Sequence, residues 1–127
     1  MKNKSIPFEF VLDALISIEP EVKPMFGCHA VYGGEKILLV LRDRADHEDC
    51  NGVWIATDKM HHAYLQKLFP KMRSVSVLGG SKDKVTNWQM IGKEDPDFEK
   101  YVYKLCEMIL HGDKAIGRIP AKKRKKN

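Results

Sequence analysis

The sequence predicts an α+β domain whose mainly antiparallel sheet has five strands and is flanked by helices. Three observations support this fold class. Short apolar or alternating segments are bounded by glycine pairs, as is typical of strands joined by tight turns. Apolar residues recur at helical spacing near both ends of the chain. The strand-like segments follow one another through hairpins and short loops, so the predicted order of elements is αβββαββα.

The first helix is predicted over residues 6–18, where apolar side chains return every three or four positions. Its apolar face consists of Phe8, Val11, Leu12 and Leu15. Pro7 suits the first turn of a helix. Pro20 and Pro24 disfavour any helix beyond Ile18, because the residue before a proline avoids helical geometry.

Residues 23–34 predict a strand that ends in a glycine turn. Its two faces are predicted to carry Phe26, Cys28, Ala30 and Tyr32 on one side and His29 and Val31 on the other. The pair Gly33 and Gly34 supplies the positive φ that a tight turn needs. The wholly apolar run 37–41 then predicts a second strand that is buried on both faces.

The middle of the chain predicts a polar loop, a strand and a helix. Residues 42–51 are mostly charged, and residues 53–56 form a short third strand. Thr57 or Asp58 can cap the following helix, which Pro70 ends. The interior face of this helix is predicted to hold Met60, Ala63, Tyr64 and Leu68.

The last third of the chain predicts two strands and a helix. The fourth strand is built around Val75 and Val77, and the fifth spans residues 85–91. Pro96 opens the last helix and Gly112 closes it. The buried stripe of this helix is predicted to be Phe98, Val102, Leu105 and Ile109.

The composition is that of one soluble globular domain. The chain has 127 residues, of which 43% are hydrophobic and 31% charged, and this balance excludes global disorder. No apolar run is long enough for a membrane span, and the N-terminus lacks the pattern of a signal peptide, so we expect no membrane partner. Cys28, Cys50 and Cys106 have no close spacing, which predicts free thiols and a cytoplasmic location.

The positive charge is concentrated at the C-terminal end. The net charge of the chain is +5, whereas the last ten residues alone carry +6, so residues 1–117 carry −1. We therefore predict a single domain over residues 1–117 and a flexible basic tail over residues 118–127. A near-neutral domain is not by itself a basic platform for nucleic acid.

Motifs in both halves of the chain resemble those of two related families. Met-Phe-Gly at residues 25–27, with Val-Tyr before a glycine turn at residues 31–34, resembles the TfoX/Sxy N-terminal domain. Trp88, the helix 96–111 and the basic segment that begins at Arg118 resemble the YjbR (MmcQ-like) family. The resemblance covers about residues 6 to 120.

This resemblance implies a fold of the TfoX N-terminal domain or YjbR type in an intracellular bacterial protein. It also implies a regulatory function associated with DNA or transcription. It transfers no catalytic residue, and the sequence contains no acid–base pair, cofactor fingerprint or nucleophile motif. We therefore expect a non-enzymatic binding module that uses no cofactor.

The cysteines and histidines are residue types that zinc prefers, but their spacing is poor for a metal site. They are Cys28, His29, His47, Cys50, His61 and His62. The chain has no Cys-x-x-Cys pair, and Cys28 fits a small core residue. Glu48 and Asp49 favour the thiol form of Cys50, which argues against a reactive nucleophile there. For these reasons together, no catalytic or metal-binding residue is predicted.

Two further motifs have both a structural and a functional interpretation. The segment Gly-Gly-Ser-Lys at residues 79–82 can bind phosphate through its amides, but a hairpin connection is favoured because a strand follows. Trp54 and Trp88 fit core packing or cover of a sheet edge. Trp88, which lies between Asn87 and Gln89, is also the candidate for contact with a partner.

The basic tail is the candidate for binding nucleic acid. Its cations are Lys122, Lys123, Arg124, Lys125 and Lys126. Such a segment adds sequence-independent affinity for phosphates, while the alternative is a solubilising end. The alternative function is a protein-interaction or homodimerisation module that binds no nucleic acid and uses a sheet edge at the third or fifth strand.

Overall fold

The computed structural model describes residues 6–25, 27–75 and 88–119, and an antiparallel sheet lies at its centre. The strands are β1 (Glu21–Met25), β2 (Cys28–Gly33), β3 (Lys36–Arg42), β4 (Gly52–Ile55), β5 (Arg73–Ser74) and β6 (Gln89–Gly92). Their order across the sheet is β1-β2-β3-β4-β6-β5. The helices are α1 (Phe10–Ala14), α2 (His62–Leu68) and α3 (Phe98–Leu110). The α+β class and the antiparallel sheet are confirmed.

The predicted count of five strands is wrong, because the described residues form six. The additional strand is β1, which includes the first residues of the predicted first strand and pairs with β2 from Glu21↔Tyr32 to Met25↔Cys28. Gly27 has a φ of +76° and turns the chain between these strands, so it does not lie inside one. Pro24 and the charged side chains of β1 are not typical of a strand, so the sequence does not predict it as a separate strand. An edge strand tolerates both.

The hairpin of β2 and β3 is confirmed. Gly34 turns the chain with a φ of +64°. Residues 37–41 of β3 are all buried, as predicted. Leu39 and Leu41 face the helices, whereas Ile37 and Val40 belong to a second apolar cluster, so β3 has apolar neighbours on both faces.

The helices cover one face of the sheet and bury the larger apolar core. This core includes Val11, Leu15, Val31, Leu39, Ile55, Leu65, Phe69, Val102 and Leu105. The predicted first helix is shorter than expected, because α1 ends at Ala14 and a 3₁₀ turn, Ile16–Ile18, follows. The predicted stripe of α3 is correct except that Cys106 is buried and Ile109 only partly so.

The predicted interior face of α2 is wrong except for Leu68, which is partly buried against the core. Met60 is 80% exposed and Tyr64 is 47% exposed, whereas Leu65 and Phe69 are fully buried. Met60 lies in a 3₁₀ turn, Lys59–His61, which precedes α2. A 3₁₀ turn has three residues instead of 3.6, so its residues are out of phase with the apolar face of the helix that follows.

The second apolar cluster lies on the other face of the sheet. Its buried members include Cys28, Ala30, Val40, Trp54, Val75 and Met90. Trp54 is 1% exposed, and its indole Nε1 donates a hydrogen bond of 2.9 Å to the carbonyl oxygen of Cys50. Core packing of Trp54 is therefore confirmed.

The sheet edges differ from those expected. The predicted third and fifth strands, β4 and β6, both have neighbours on each side within the described sheet, and β1 and β5 are its edges. The expected free edge at β4 or β6 is therefore wrong. β1 combines Glu21 and Lys23 with Pro24, features that oppose edge-to-edge pairing.

The described chain ends against the start of β3. The amide of Gly117 donates to the carbonyl oxygen of Ala56 at 2.7 Å, and Arg118 exchanges two backbone hydrogen bonds with Ile37 at 2.9 and 3.0 Å. The Arg118 guanidinium also contacts Asp58 at 3.2 Å. Arg118, which the sequence assigned to the tail, is thus paired with the domain. Residues 120–127 lie outside the described part, as do residues 76–87 with the Gly-Gly-Ser-Lys segment.

Candidate functional site

An open groove of about 570 Å³ lies between α2 and α3 and carries an excess of positive charge. Its lining residues are Lys67, Leu68, Lys100, Tyr101, Tyr103, Lys104 and Glu107. One face of α3 carries four of these residues, Lys100, Tyr103, Lys104 and Glu107. Positions three, four and seven apart are neighbours on a helix surface. This face is opposite the apolar stripe, so burial of the stripe presents the lysines to solvent.

The three lysines of the α2–α3 groove are without an ion pair among residues 6–25, 27–75 and 88–119. They are Lys67, Lys100 and Lys104, all of them exposed. Glu107 is the one carboxylate in the lining, so the groove carries a net charge of +2. Lys100 and Lys104 repel each other at four-residue spacing, which weakly destabilises the helix. The groove therefore presents three exposed ammonium groups that are available to an anionic ligand.

Two tyrosines give the groove aromatic character. Tyr101 is half-buried, and its ring meets Phe69 edge-on at 5.6 Å. Tyr103 is 49% exposed, with its ring centroid 5.0 Å from that of Phe10. Cationic and aromatic side chains are the combination that binds nucleic-acid strands, through phosphates and base faces respectively.

A second polar groove, of about 500 Å³, lies beside the loop between β3 and β4. Its cations are matched by acids: Arg44 pairs with Asp46 at 3.0 Å and Lys93 with Asp43 at 2.7 Å. In the same way Arg73 pairs with Glu94 at 3.0 Å. The Arg44 side chain, through its hydrogen bond, lowers the pKa of the Asp46 carboxyl. A ligand would have to break these pairs, so we assign this groove a structural role.

A buried polar network holds the same loop. The Arg42 guanidinium is 4% exposed and donates to Asn51 Oδ1 at 2.6 Å and to the carbonyl oxygen of His47 at 3.0 Å. It also reaches Asp46 Oδ1 at 3.2 Å. Asn51 Oδ1 accepts the Arg44 amide at 2.9 Å, while Asn51 Nδ2 donates to the Arg44 carbonyl oxygen at 2.8 Å. The network fixes the path of a loop that the sequence shows only as polar.

The cysteines are placed as core residues. Cys28, Cys50 and Cys106 are free thiols, each at most 3% exposed. Burial raises the pKa of the Cys28 thiol despite the nearby charges of Arg42 and Arg44. These environments are unlike the exposed, electropositive setting of a reactive thiolate.

The histidines do not converge with the cysteines on a metal site in the described residues, where no group of three potential ligands is found. His29 lies on β2 with its buried Nδ1 lacking a hydrogen-bond partner there. His47 has a φ of 45° and serves the Arg42 network through its carbonyl oxygen. His61 and His62 are successive residues at the start of α2.

We predict that the native thiols resist labelling by a disulfide reagent such as DTNB. Burial raises the pKa of Cys106 to about 11, so roughly one molecule in a thousand carries its thiolate at pH 8. Absorbance at 412 nm should therefore rise slowly for native protein. In urea, all three thiols should react rapidly. A thiol that reacts within seconds in native protein would contradict the buried placement.

The sequence-predicted partner residue Trp88 is half-buried. Its ring centroid lies 6.1 Å from that of Trp54 at an angle of 63°, on the second apolar cluster. It does not line the α2–α3 groove. The predicted tail residues Lys122, Lys123, Arg124, Lys125 and Lys126 lie outside the described part.

Sequence reasoning missed the lysines and Tyr103 of the α2–α3 groove. Lys100, Tyr103 and Lys104 are three and four residues apart in the last helix, so their spacing places them on one polar face. This pattern could have been recognised in the sequence. Lys67, by contrast, is 33 positions before Lys100, and only the packing of the helices brings α2 beside α3.

No protein-family model, curated protein or solved structure matches this chain. None of the helices in the described residues has the length and apolar character needed to cross a membrane.

Proposed function

We propose that this protein is a small, non-enzymatic binding module of the TfoX/YjbR type that acts by binding nucleic acid, in a DNA- or transcription-associated role. The α2–α3 groove supplies the folded contact surface and the predicted basic tail adds charge. One observation carries the proposal: three lysines without ion pairs in the described structure converge from two helices on an open groove. Such charges are satisfied by the phosphates of a nucleic-acid backbone.

The spacing of the lysines supports this proposal. Lys100 and Lys104 are four residues apart on α3, which is about 6 Å along the helix axis. A nucleic-acid strand rises ~3.4 Å along the duplex axis per phosphate but also winds around that axis, so consecutive phosphates are about 6–7 Å apart in space and match this pair. Lys67 adds a third cation from the opposite wall of the groove.

We expect the double variant Lys100→Gln/Lys104→Gln to bind nucleic acid more weakly and with less salt dependence. Each lost phosphate contact lowers the slope of log K against log salt by about 1, so the slope should fall by about 2. The measurement is fluorescence anisotropy with a labelled oligonucleotide between 25 and about 200 mM salt.

The matched control is Lys36→Gln/Lys114→Gln, which removes the same charge from exposed positions outside the groove. A third full-length variant replaces the five tail cations with glutamine, and with about five contacts we expect its slope to fall by about 4. Absence of binding by the wild type at low salt would overturn the proposal. Equal losses in the groove and control variants would remove the groove from it.

The alternative is a protein-interaction or homodimerisation module without a nucleic-acid role. In the described sheet, the charges and proline of β1 oppose pairing with a second copy, and β5 is only two residues long. Light scattering after size exclusion separates the two functions. A stable dimer that binds no oligonucleotide at low salt favours the alternative.

A further inference from the structure

We infer that the ligand of the α2–α3 groove is a single nucleic-acid strand, with one base stacked on the ring of Tyr103. This inference rests on the proposed function, since it names the class of nucleic acid that the lysines bind. It depends on a separate observation, the exposed ring and its support.

Tyr103 is the outer end of a series of aromatic contacts that begins in the core. Phe98 is 7% exposed, and its ring contacts that of Phe8 at 5.0 Å and that of Phe10 at 6.4 Å. Phe10 in turn lies 5.0 Å from Tyr103. The ring of Tyr103 is therefore held on one side by Phe10, while about half of the residue remains exposed.

This support makes the ring suitable for stacking. A base that stacks on an aromatic side chain is favoured when the ring is already fixed, because little conformational entropy is then lost on binding. Tyr64 offers a contrast, since its hydroxyl is engaged by Asp113 Oδ2 at 2.6 Å, and this hydrogen bond raises the Tyr64 pKa. No such bond holds the Tyr103 hydroxyl within the described residues.

The ring and the lysines supply the two contacts that a single strand requires. Tyr103 lies three residues after Lys100 and one before Lys104, and all three line the groove. The ammonium groups can contact phosphates on both sides of a nucleotide whose base covers the ring. Stacking does not depend on sequence, because every base has a π-face.

A duplex cannot use Tyr103 in this way. Its bases are stacked on one another and expose only their edges in the grooves, so a duplex offers the site phosphates alone. The groove is open and holds about 570 Å³, which accommodates a nucleotide between the helices. A single strand should therefore bind about tenfold more tightly than the duplex at equal salt.

The test measures the affinity of full-length protein for four labelled oligonucleotides of equal length. These are single-stranded DNA, RNA of the same sequence, the DNA duplex, and a strand in which every base is replaced by an abasic unit. Wild type should bind the abasic strand about as weakly as the duplex, since both lack an exposed base face. Comparison of the DNA and RNA affinities then shows which type of single strand the protein prefers.

Two variants isolate the ring. Tyr103→Leu should lose the tenfold preference for a single strand but keep its salt slope, because the lysines remain. Tyr103→Phe retains the ring and should keep the preference. If circular dichroism shows that Tyr103→Leu is unfolded, the wild-type comparison of normal and abasic strands still decides whether the groove stacks a base.

The outcomes separate this inference from the proposed function. Equal affinity of wild type for the single strand, the abasic strand and the duplex, with Lys100→Gln/Lys104→Gln still weakening all three, overturns the stacking and leaves the proposed function standing. Absence of binding to every oligonucleotide overturns both. A preference that survives in Tyr103→Leu also overturns the assignment to this ring.

Discussion

Gly52→Ala is expected to destabilise the protein by about 3–5 kcal/mol, the sum of backbone strain and overpacking. Gly52 begins β4 with a φ of +148°, a conformation that residues with a side chain rarely adopt. It also pairs with Arg42 on one side and Gly92 on the other, so it lies inside the sheet. A β-carbon there would collide with the carbonyl oxygen of Ile91 in β6.

The matched control for this prediction is Gly34→Ala. Gly34 also has a positive φ, +64°, but a β-carbon there meets no atom within 4 Å. Gly34→Ala should lower the free energy of unfolding by about 1–2 kcal/mol, which is the strain of the backbone conformation alone. Urea unfolding followed by tryptophan fluorescence gives both values, provided that the m-value is unchanged. Equal midpoint shifts for the two variants would show that the collision with Ile91 is relieved cheaply.

The sequence was informative where one physical requirement dominated a segment. The apolar run 37–41 requires burial on both faces, and β3 has a neighbouring strand on each side and apolar contacts on each face. Gly34 and Gly112 mark a turn and a helix end because both need a positive φ. The stripe of α3 follows from helical spacing over 13 residues, long enough for the pattern to be clear.

Prediction failed where tertiary contacts decided the outcome. β1 has Pro24 next to its last residue and charged residues before it, and it forms because β2 offers an edge for it to pair with. A 3₁₀ turn before α2 leaves Met60 in solvent, and the face of α2 that holds Leu65 and Phe69 packs on the core. The α2–α3 groove depends on helix packing, so Lys67 could not be linked to Lys100 from spacing along the chain.

Asn51→Ala is the other substitution with a large expected effect, about 3–5 kcal/mol of unfolding free energy. Asn51 is 2% exposed, and its side chain accepts the Arg42 guanidinium and the Arg44 amide and donates to the Arg44 carbonyl oxygen. Alanine removes all three hydrogen bonds and leaves the buried guanidinium with fewer acceptors. Removal of one partner from a buried charge is strongly destabilising because the charge cannot regain its hydration.

The control Asn51→Asp separates loss of the acceptors from loss of the donated hydrogen bond. Aspartate keeps an oxygen facing Arg42 and adds a negative charge that suits a guanidinium, but it cannot donate to the Arg44 carbonyl oxygen. At neutral pH its midpoint in urea should therefore lie between those of wild type and Asn51→Ala. Equal midpoints for Asn51→Asp and Asn51→Ala would mean that the donated bond to Arg44, and not the acceptors for Arg42, carries the stability of the loop.

The same variants connect stability with binding. The Arg42 network lies at the β3–β4 loop, whereas the lysines proposed to bind phosphate lie on α2 and α3. If the network only shapes the loop, folded Asn51→Ala protein binds oligonucleotides with the wild-type salt slope. A slope reduced by 1 or more in folded protein would instead mean that cations of the loop also contact phosphate, and the second polar groove would then belong to the binding surface.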